Sequence, residues 1–415
     1  MYKPHLHCRA CGFGENKSPD FIKAARSSER LIPVMELGVQ PLANDFCSEN
    51  SERAGFAPLK AMYCPHCSLV QLDVVVDPKV IYNNYPYVTS RSDTMIAHFH
   101  KLWRAIKLEC RQPDNVLEIG SNDGYFLQFA RANGADRVLG IDPAQNLVSQ
   151  ARGDGIETIC DTFNFDSAGI AGGAMPRVDV VVARHVFCHV DNWHEFIKNL
   201  DGICHKETLI VIEVPYIKDQ MNALSFDQFY HEHLSYMSVT AMEAMLRHTP
   251  FRLQRVVHFQ VHGGAIALML RRCDSDMELD SSVEEFSNDR ITLDDWLKFS
   301  ERSHRAIDAL RNMVRNESAP ICGFGASAKS TVWINACGFT RKDIRFVCDS
   351  TPGKQWKYIP GTDIPVVDEG ALLREVPDYA ILFAWNYKDE VLKKNSLWRS
   401  KGGKFVIPIP ELTVV

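Results

Sequence analysis

The chain has 415 residues, 46% hydrophobic and 24% charged, with a formal net charge of −6. That length exceeds one ordinary domain and predicts two or three, and the composition is that of globular protein. An acidic balance argues against a nucleic-acid-binding surface, which shows as a basic excess. No apolar run reaches 18 residues, so no membrane span is expected. The opening MYKPHLHCRACG has neither an apolar stretch nor a small-residue cleavage site, so no secretory leader is expected either.

Residues 1–80 form the first predicted domain, rich in Cys, His, Pro and Gly with only short apolar runs. A unit that buries so little needs a metal or disulfides. It carries two Cys-x-x-Cys pairs, Cys8/Cys11 and Cys64/Cys67. Each such turn points both sulfurs to one side, so four thiolates can converge tetrahedrally on one zinc ion. A full thiolate shell leaves no open position, so the metal is expected to be structural. His5, His7 and His66 read as neighbours of that shell. Of the 13 cysteines, all but these four stand singly, which suits reduced, buried thiols and a cytoplasmic setting.

The Tyr/Pro stretch 82–90 reads as a loop, and 91–109 as a helix with Met95, Phe99, Leu102 and Ile106 on one face. From 114 the pattern alternates strand and helix. Strands are expected at 116–119, 137–142, 156–160, 178–187 and 208–215, with helices at 125–134, 146–155 and 193–200. Such alternation predicts a doubly wound, mostly parallel sheet. It forms the core of a second domain, residues 81–275.

VLEIGSNDG at 116–124 places Glu118 near the strand end and Gly120, Asn122 and Gly124 in the turn. Glycines let the backbone approach the methionyl part of S-adenosylmethionine (SAM), and Asn can hydrogen-bond it. The second strand ends in Asp142, suited to ribose hydroxyls. Asp161, after the third strand, suits the adenine amino group. The ordered set predicts SAM as cofactor.

Ligands in such sheets sit outside the carboxyl ends of the strands. ARHVFCHV, after the fourth strand, brings His185 and His189 there; FDQFYHEHLSYMS, after the fifth, brings Tyr230, His231, Glu232 and His233. Histidine beside a carboxylate suits proton abstraction near neutral pH. Metal ligation by the H-x-H pair needs three ligands with open coordination, and the sequence alone does not supply the third. VHGGAIALMLRR (261–272) reads as strand, and the charged segment 274–318 as one or two helices. Alternation then restarts at 319–338, 343–350, 379–386 and 404–410, predicting a Rossmann-like third domain, residues 276–415. Its Gly-rich turn GFGASAK (323–329) suits either a diphosphate at a helix N-terminus with Lys329 nearby or a remnant turn with no ligand.

With these residues in view, the chain resembles the SAM-dependent nucleotide-sugar C-methyltransferases of branched-deoxysugar biosynthesis. Beyond the paired cysteines the resemblance includes LGVQPLANDF (37–46), YPYVTS (85–90), LEIGSNDG, CHV (188–190), FDQFYHEH, VHGG (261–264), GFGASAKS (323–330) and LFAWN (382–386). It implies an α/β architecture: an N-terminal zinc module, a central class I SAM-methyltransferase sheet and a C-terminal Rossmann-like domain, with the sugar between domains. It implies methylation at C3 of a nucleotide-linked 4-keto-6-deoxy sugar through an enolate. His233 is then the leading base, with Tyr230 and Glu232 as partners and His189 beside them; the competing assignment makes Tyr230 the base. Tyr85 and Tyr87 would line the sugar pocket, and His262 of VHGG and Lys329 would touch substrate. His231 and Ser121 stand where the family more often has Asp and Cys. The expected partner is a small nucleotide-sugar substrate, with no nucleic acid and no membrane, and the chain a monomer or weak oligomer. An O- or N-methyltransferase on a sugar or small metabolite is the alternative activity.

Overall fold

A computed structural model describes residues 1–14, 30–48, 55–82, 85–91, 93–261, 263–274 and 280–415. Three sheets organise them, with a two-stranded ribbon beside the first.

The N-terminal part contributes β1 (Tyr2–Pro4), β2 (Ile32–Pro41), β3 (Phe56–Tyr63), β4 (Val70–Leu72) and β5 (Val74–Val76). β2 and β3 pair antiparallel with two register shifts, β4 pairs with β3, and β1 with β5. The expectation that this part buries little needs amending. Met35, Leu59 and Tyr63 are buried, and their cover comes from elsewhere in the chain: Phe226, Phe229, Trp296 and Trp333 share their apolar cluster. A thin sheet without its own core thus borrows one.

The central sheet has seven strands: β6 (Asn115–Ile119), β7 (Arg137–Ile141), β8 (Thr158–Ile159), β9 (Val180–Arg184), β10 (Leu209–Pro215), β12 (Phe251–Phe259) and β13 (Ala265–Arg272). Their order is β12-β13-β10-β9-β6-β7-β8. β6 to β10 run parallel, and β13 lies antiparallel to both β10 and β12. The parallel strands are mostly apolar because helices cover both faces, and the charged Glu118, Arg184 and Glu213 stand toward their carboxyl ends. Three differences from expectation stand out. The third strand shrinks to two residues, and FRLQRVVHF forms a full strand, β12, with a bulge between Leu253 and Arg255. The 165–174 helix, rich in Gly and Ala, was also not expected; Asn164 caps it through Ser167.

β11 (Ser235–Tyr236) lies between β10 and β12 in sequence but pairs with β4 of the N-terminal sheet. The 226–237 segment therefore leaves the central sheet and joins the neighbouring one. This junction positions Tyr230 and His233.

The C-terminal sheet comprises β14 (Ile321–Phe324), β15 (Val347–Cys348), β16 (Val366–Val367), β17 (Tyr379–Leu382), β18 (Lys404–Ile407) and β19 (Thr413–Val414). Its order is β16-β15-β14-β17-β18-β19, parallel except at β19. A 24-residue helix, Leu293–Asn316, precedes it and buries Trp296, Phe299, Ile307 and Leu310. Among the described residues no helix is long and apolar enough to cross a membrane.

Candidate active site

The four paired cysteines come together. All four sulfurs lie within 4.8 Å of one another, with Cys8 Sγ 3.4 Å from Cys67 Sγ and Cys11 Sγ 3.7 Å from Cys64 Sγ. Tetrahedral Zn–S bonds of ~2.3 Å place sulfurs about 3.8 Å apart, so the thiol shell fits a zinc ion. Cys8, Cys64 and Cys67 are buried, so the shell is closed.

A cavity of about 720 Å³ opens at the carboxyl ends of β6, β7 and β9, and residues from all three sheets' surroundings line it. Gly120, Asn122, Asp142 and Asp161 are on its wall. Gly120 has φ 71°, and a Cβ there would sit 2.0 Å from Val186 Cγ2, so only glycine fits. Asp142 closes the turn: its carboxylate accepts from the Asn122 amide at 2.8 Å and the Ala144 amide at 2.8 Å. Asp161 accepts from Thr162 N at 2.7 Å. Gly124 and Glu118 are not on the wall. Gly124 precedes the 125–132 helix at φ 73°. Glu118 is fully buried and accepts from Arg184 Nε at 2.8 Å and a terminal nitrogen at 2.5 Å. Burial pushes its carboxyl up to about 7 despite that guanidinium. Its partner Arg184, held over the Phe99 and Phe126 rings at 4.5 and 4.6 Å, is what reaches the cavity.

Asn122 does more than the turn required. Its side chain accepts from Thr89 N at 3.0 Å and donates to the Tyr87 carbonyl at 3.1 Å, fastening the tyrosine loop across the cofactor turn. Asn146 clamps Tyr85 in the same way, through both backbone groups. Tyr82, Tyr85 and Tyr87 all line the cavity.

Tyr230, His233 and His189 also line the cavity. His233 Nδ1 lies 2.9 Å from the Gln228 carbonyl, which only accepts, so Nδ1 carries the proton. Nε2 therefore accepts, and Tyr230 Oη donates to it at 2.7 Å. Burial, reinforced by His189, holds His233 well below the ordinary histidine value, and burial raises the Tyr230 phenol. The resting pair is neutral. His189 Nδ1 meets Tyr82 Oη at 3.1 Å, and burial followed by His185 lowers it to about 3.

Glu232 takes a different partner from the one expected. Its two oxygens accept from Tyr85 Oη at 2.7 Å and Asn44 Nδ2 at 2.7 Å, so it positions the tyrosine loop and leaves His233 to Gln228. His231 turns away to the Ala57 and Pro58 carbonyls, at 3.2 and 3.1 Å. His262 lies outside the described residues. His185, in the left-handed region at φ 53°, reaches Glu213 at 3.0 Å, and His98 reaches the other oxygen at 2.6 Å. Burial would raise the Glu213 carboxyl, but those two histidines outweigh it and hold it far below the usual range.

Lys329 lines the third wall with Ser327, Ala328 and Lys354. Lys329 Nζ donates to Asn386 Oδ1 at 2.8 Å and lies 4.4 Å over the Trp385 ring; Lys354 Nζ donates to the Ala326 carbonyl at 2.8 Å. Burial lowers both ammonium groups. Ser327 caps the 328–337 helix, whose N-terminus thus faces the cavity. Asn44, Tyr82, Arg184 and Lys354 were missed in the sequence. Arg184 alone gave a signal, as a charge closing an apolar strand.

Three family descriptions match successive stretches: a zinc binding domain (27–82), a methyltransferase domain (89–256) and a C-methyltransferase C-terminal domain (260–410). The first begins after Cys8 and Cys11. The chain is 30% identical to the C-methyltransferase NovU of Streptomyces niveus over 427 aligned positions, covering 100% of this chain and 98% of NovU. Solved structures resemble parts of it more distantly. Magnesium protoporphyrin IX methyltransferase from Synechocystis PCC 6803 has 13% identity and a TM-score of 0.32, with 43% of this chain and 82% of that one covered. A SAM-dependent methyltransferase from Anabaena variabilis has 14% and 0.36, with 45% and 88% covered. The full-length match and the three consecutive domains agree with the SAM-type sheet and the four-cysteine shell: the chain belongs to the C-methyltransferase family, as a SAM-dependent enzyme with a zinc-binding domain.

Proposed function

We propose that the enzyme methylates C3 of a nucleotide-linked 4-keto-6-deoxy sugar through an enolate. The observation that carries this reading is the Tyr230–His233 pair, neutral, with a fixed tautomer, on the wall of the cavity that also presents Gly120, Asn122 and Asp142. Methylating oxygen or nitrogen needs no base for a carbon acid, and the Tyr230–His233 pair supports the reading that this enzyme uses one.

The ketone at C4 acidifies the C3–H bond. Tyr230 Oη takes that proton as its own passes to His233 Nε2, so the charge comes to rest on an imidazolium whose Nδ1–H is already held by Gln228. Tyr85, fixed by Glu232, and Tyr82 beside His189 pack the sugar side and exclude water. Bound SAM supplies an electrophilic methyl on a sulfonium, and holding the carbon in line with it provides much of the rate. Gly120, Asn122, Asp142 and Asp161, which line the cavity, would hold SAM in this reading.

The nucleoside diphosphate is assigned to the third wall. Lys329, Lys354 and the N-terminus of the 328–337 helix put positive charge there, each lysine lying over an aromatic ring, Trp385 and Phe46 respectively. The enzyme acts in this reading on a small molecule, in the cytoplasm, without nucleic acid or membrane, as a monomer or weak oligomer. Incubation with SAM and a panel of nucleotide-linked 4-keto-6-deoxy sugars tests it. Product heavier by one methylene, with the new methyl on carbon by proton NMR, is expected. A methyl on oxygen, or no product with any 4-keto sugar, overturns it.

A further inference from the structure

Cys188, His189 and His233 each offer a ligand atom, and these atoms lie within 4.8 Å of one another. They come from two separate segments. Cys188 and His189 sit on the turn after β9, and His233 on the segment leading into β11. The sequence suggested the His231/His233 pair without a third ligand; the fold turns His231 away and brings His189 and a sulfur to His233 instead.

The histidines are arranged as metal ligands commonly are. A ligating imidazole binds through one nitrogen and gives the other N–H to a carbonyl or similar acceptor, which fixes the ring. His233 Nδ1 already holds the Gln228 carbonyl at 2.9 Å, and His189 Nδ1 meets Tyr82 Oη at 3.1 Å. Nε2 of each is the remaining ligand atom. The two rings are 5.2 Å apart between centroids. Cys188 is 2% exposed, and its neighbours His189 and His233 open onto the cavity. A thiolate and two imidazoles with an open side suit a soft or borderline ion such as Zn²⁺, Co²⁺ or Cd²⁺ over Mg²⁺ or Ca²⁺.

We propose that Cys188, His189 and His233 form a second metal site, distinct from the four-cysteine shell, and that an ion seated there inhibits the enzyme. The divalent ion bonds to sulfur and to the two Nε2 atoms. The Cys188 thiol gives up one proton to solvent, and no oxidation is involved. The Tyr230–His233 hydrogen bond breaks, because His233 Nε2 cannot hold both the ion and the phenol proton. The ion also stands where substrate would enter. Unlike the structural shell, this site is open to the cavity, so chelators should clear it quickly. The inhibitory part rests on the role proposed for His233; metal binding itself is read without any sugar substrate, so the two can fail separately.

The test titrates Co²⁺ alone into the full-length, zinc-loaded enzyme. We expect one added ion per chain, a near-ultraviolet thiolate-to-cobalt band, about one proton released per ion, and turnover falling in parallel and returning with EDTA. Cys188→Ser should keep its turnover, lose the band, and raise the inhibition constant at least tenfold, about the least that losing even a supporting group costs a metal site. Cobalt-edge absorption on the native enzyme gives an answer even if that variant misfolds: one sulfur with nitrogen ligands is expected. Four sulfurs would mean exchange into the four-cysteine shell and would overturn the proposal. So would inhibition of Cys188→Ser equal to that of the native enzyme, or no added ion bound.

Discussion

Tyr230→Phe isolates the proton-transfer step. Phenylalanine keeps the ring against His233, 4.1 Å between centroids, and deletes only the oxygen 2.7 Å from Nε2. Stability should fall by about 1 kcal/mol for one lost hydrogen bond, since Nε2 faces a cavity that admits water. Catalysis should fall much further. A positioned acid–base group contributes ~10²–10⁴ in rate, about 2.7–5.4 kcal/mol of barrier. The assay has two arms. Single-turnover methyl transfer is followed by mass, and exchange of the C3 proton is followed by NMR in deuterated water with the keto-sugar and no SAM. Both should slow by the same factor, while SAM affinity stays within about twofold because Asp142 and Asn122 have hydrogen-bond partners other than Tyr230. If Tyr230→Phe exchanged C3 hydrogen within tenfold of the native rate, the relay would be wrong and His233 would act directly on carbon. If exchange stayed normal and only methylation slowed, the tyrosine would serve the methyl acceptor's alignment instead.

Lys329→Gln and Lys354→Gln should each raise KM for the nucleotide sugar, by ~10-fold for a lost charge-assisted contact, with SAM affinity unchanged; calorimetry with the nucleoside diphosphate alone checks this. Removing zinc with a strong chelator, or Cys64→Ser, should release one ion, loosen the N-terminal sheet and abolish methyl transfer, since structural zinc contributes to folding outright. Metal analysis beside circular dichroism would show it, and a metal-free protein that still turned over would refute it. Glu213 gives a pH test. Its native carboxyl lies far below the usual range, held by His98 and His185. The stability it contributes is therefore present above the unfolded value of about 4.3 and is lost as pH falls toward the native one. Glu213→Gln should cost ~3–5 kcal/mol at neutral pH and flatten that part of the acid denaturation curve. A variant as stable as native at pH 7 would show that the two histidines do not depend on it.

The central strands were legible because a sheet covered on both faces leaves continuous apolar runs, as in VVVA of β9 and LIVI of β10. β12 was not: Arg252, Gln254, Arg255 and His258 interrupt its pattern, and pairing with β13 decides it. The two-residue β16 and β19 carry no periodic signal at all, while β8 was expected and is only shorter than its apolar run. In the site, glycine spacing and the strand-end aspartates mark the cofactor turn locally. Partnerships across the chain leave no local mark. Glu232 meets Tyr85 across 147 residues and Asn44 across 188, so adjacency to His233 suggested the wrong partner. Glu118 read as a ligand because it stands at the strand end; its depth in the core makes it instead a clamp on Arg184.

The 226–237 segment is held by all three parts of the chain, which is why loss of the distant zinc ion is expected to disturb the cavity. Phe226 and Phe229 sink into the cluster shared with Trp333 and Trp296. Asp227 accepts from the Trp333 and Trp385 indoles at 3.0 and 2.8 Å, tying the segment to the wall that carries Lys329. His231 binds carbonyls of β3, and Ser235 and Tyr236 pair with β4, directly after the Cys64/Cys67 turn. Arg9, next to Cys8, donates to the Leu72 and Leu234 carbonyls and so joins the other half of the thiol shell to the same segment. Tyr230 and His233 are therefore suspended between supports on both sides. A shift of about 1 Å in either support is enough to misplace reacting atoms and cost ~10²-fold in rate, so zinc removal is expected to lower methyl transfer through geometry, with the metal remote from the cavity wall.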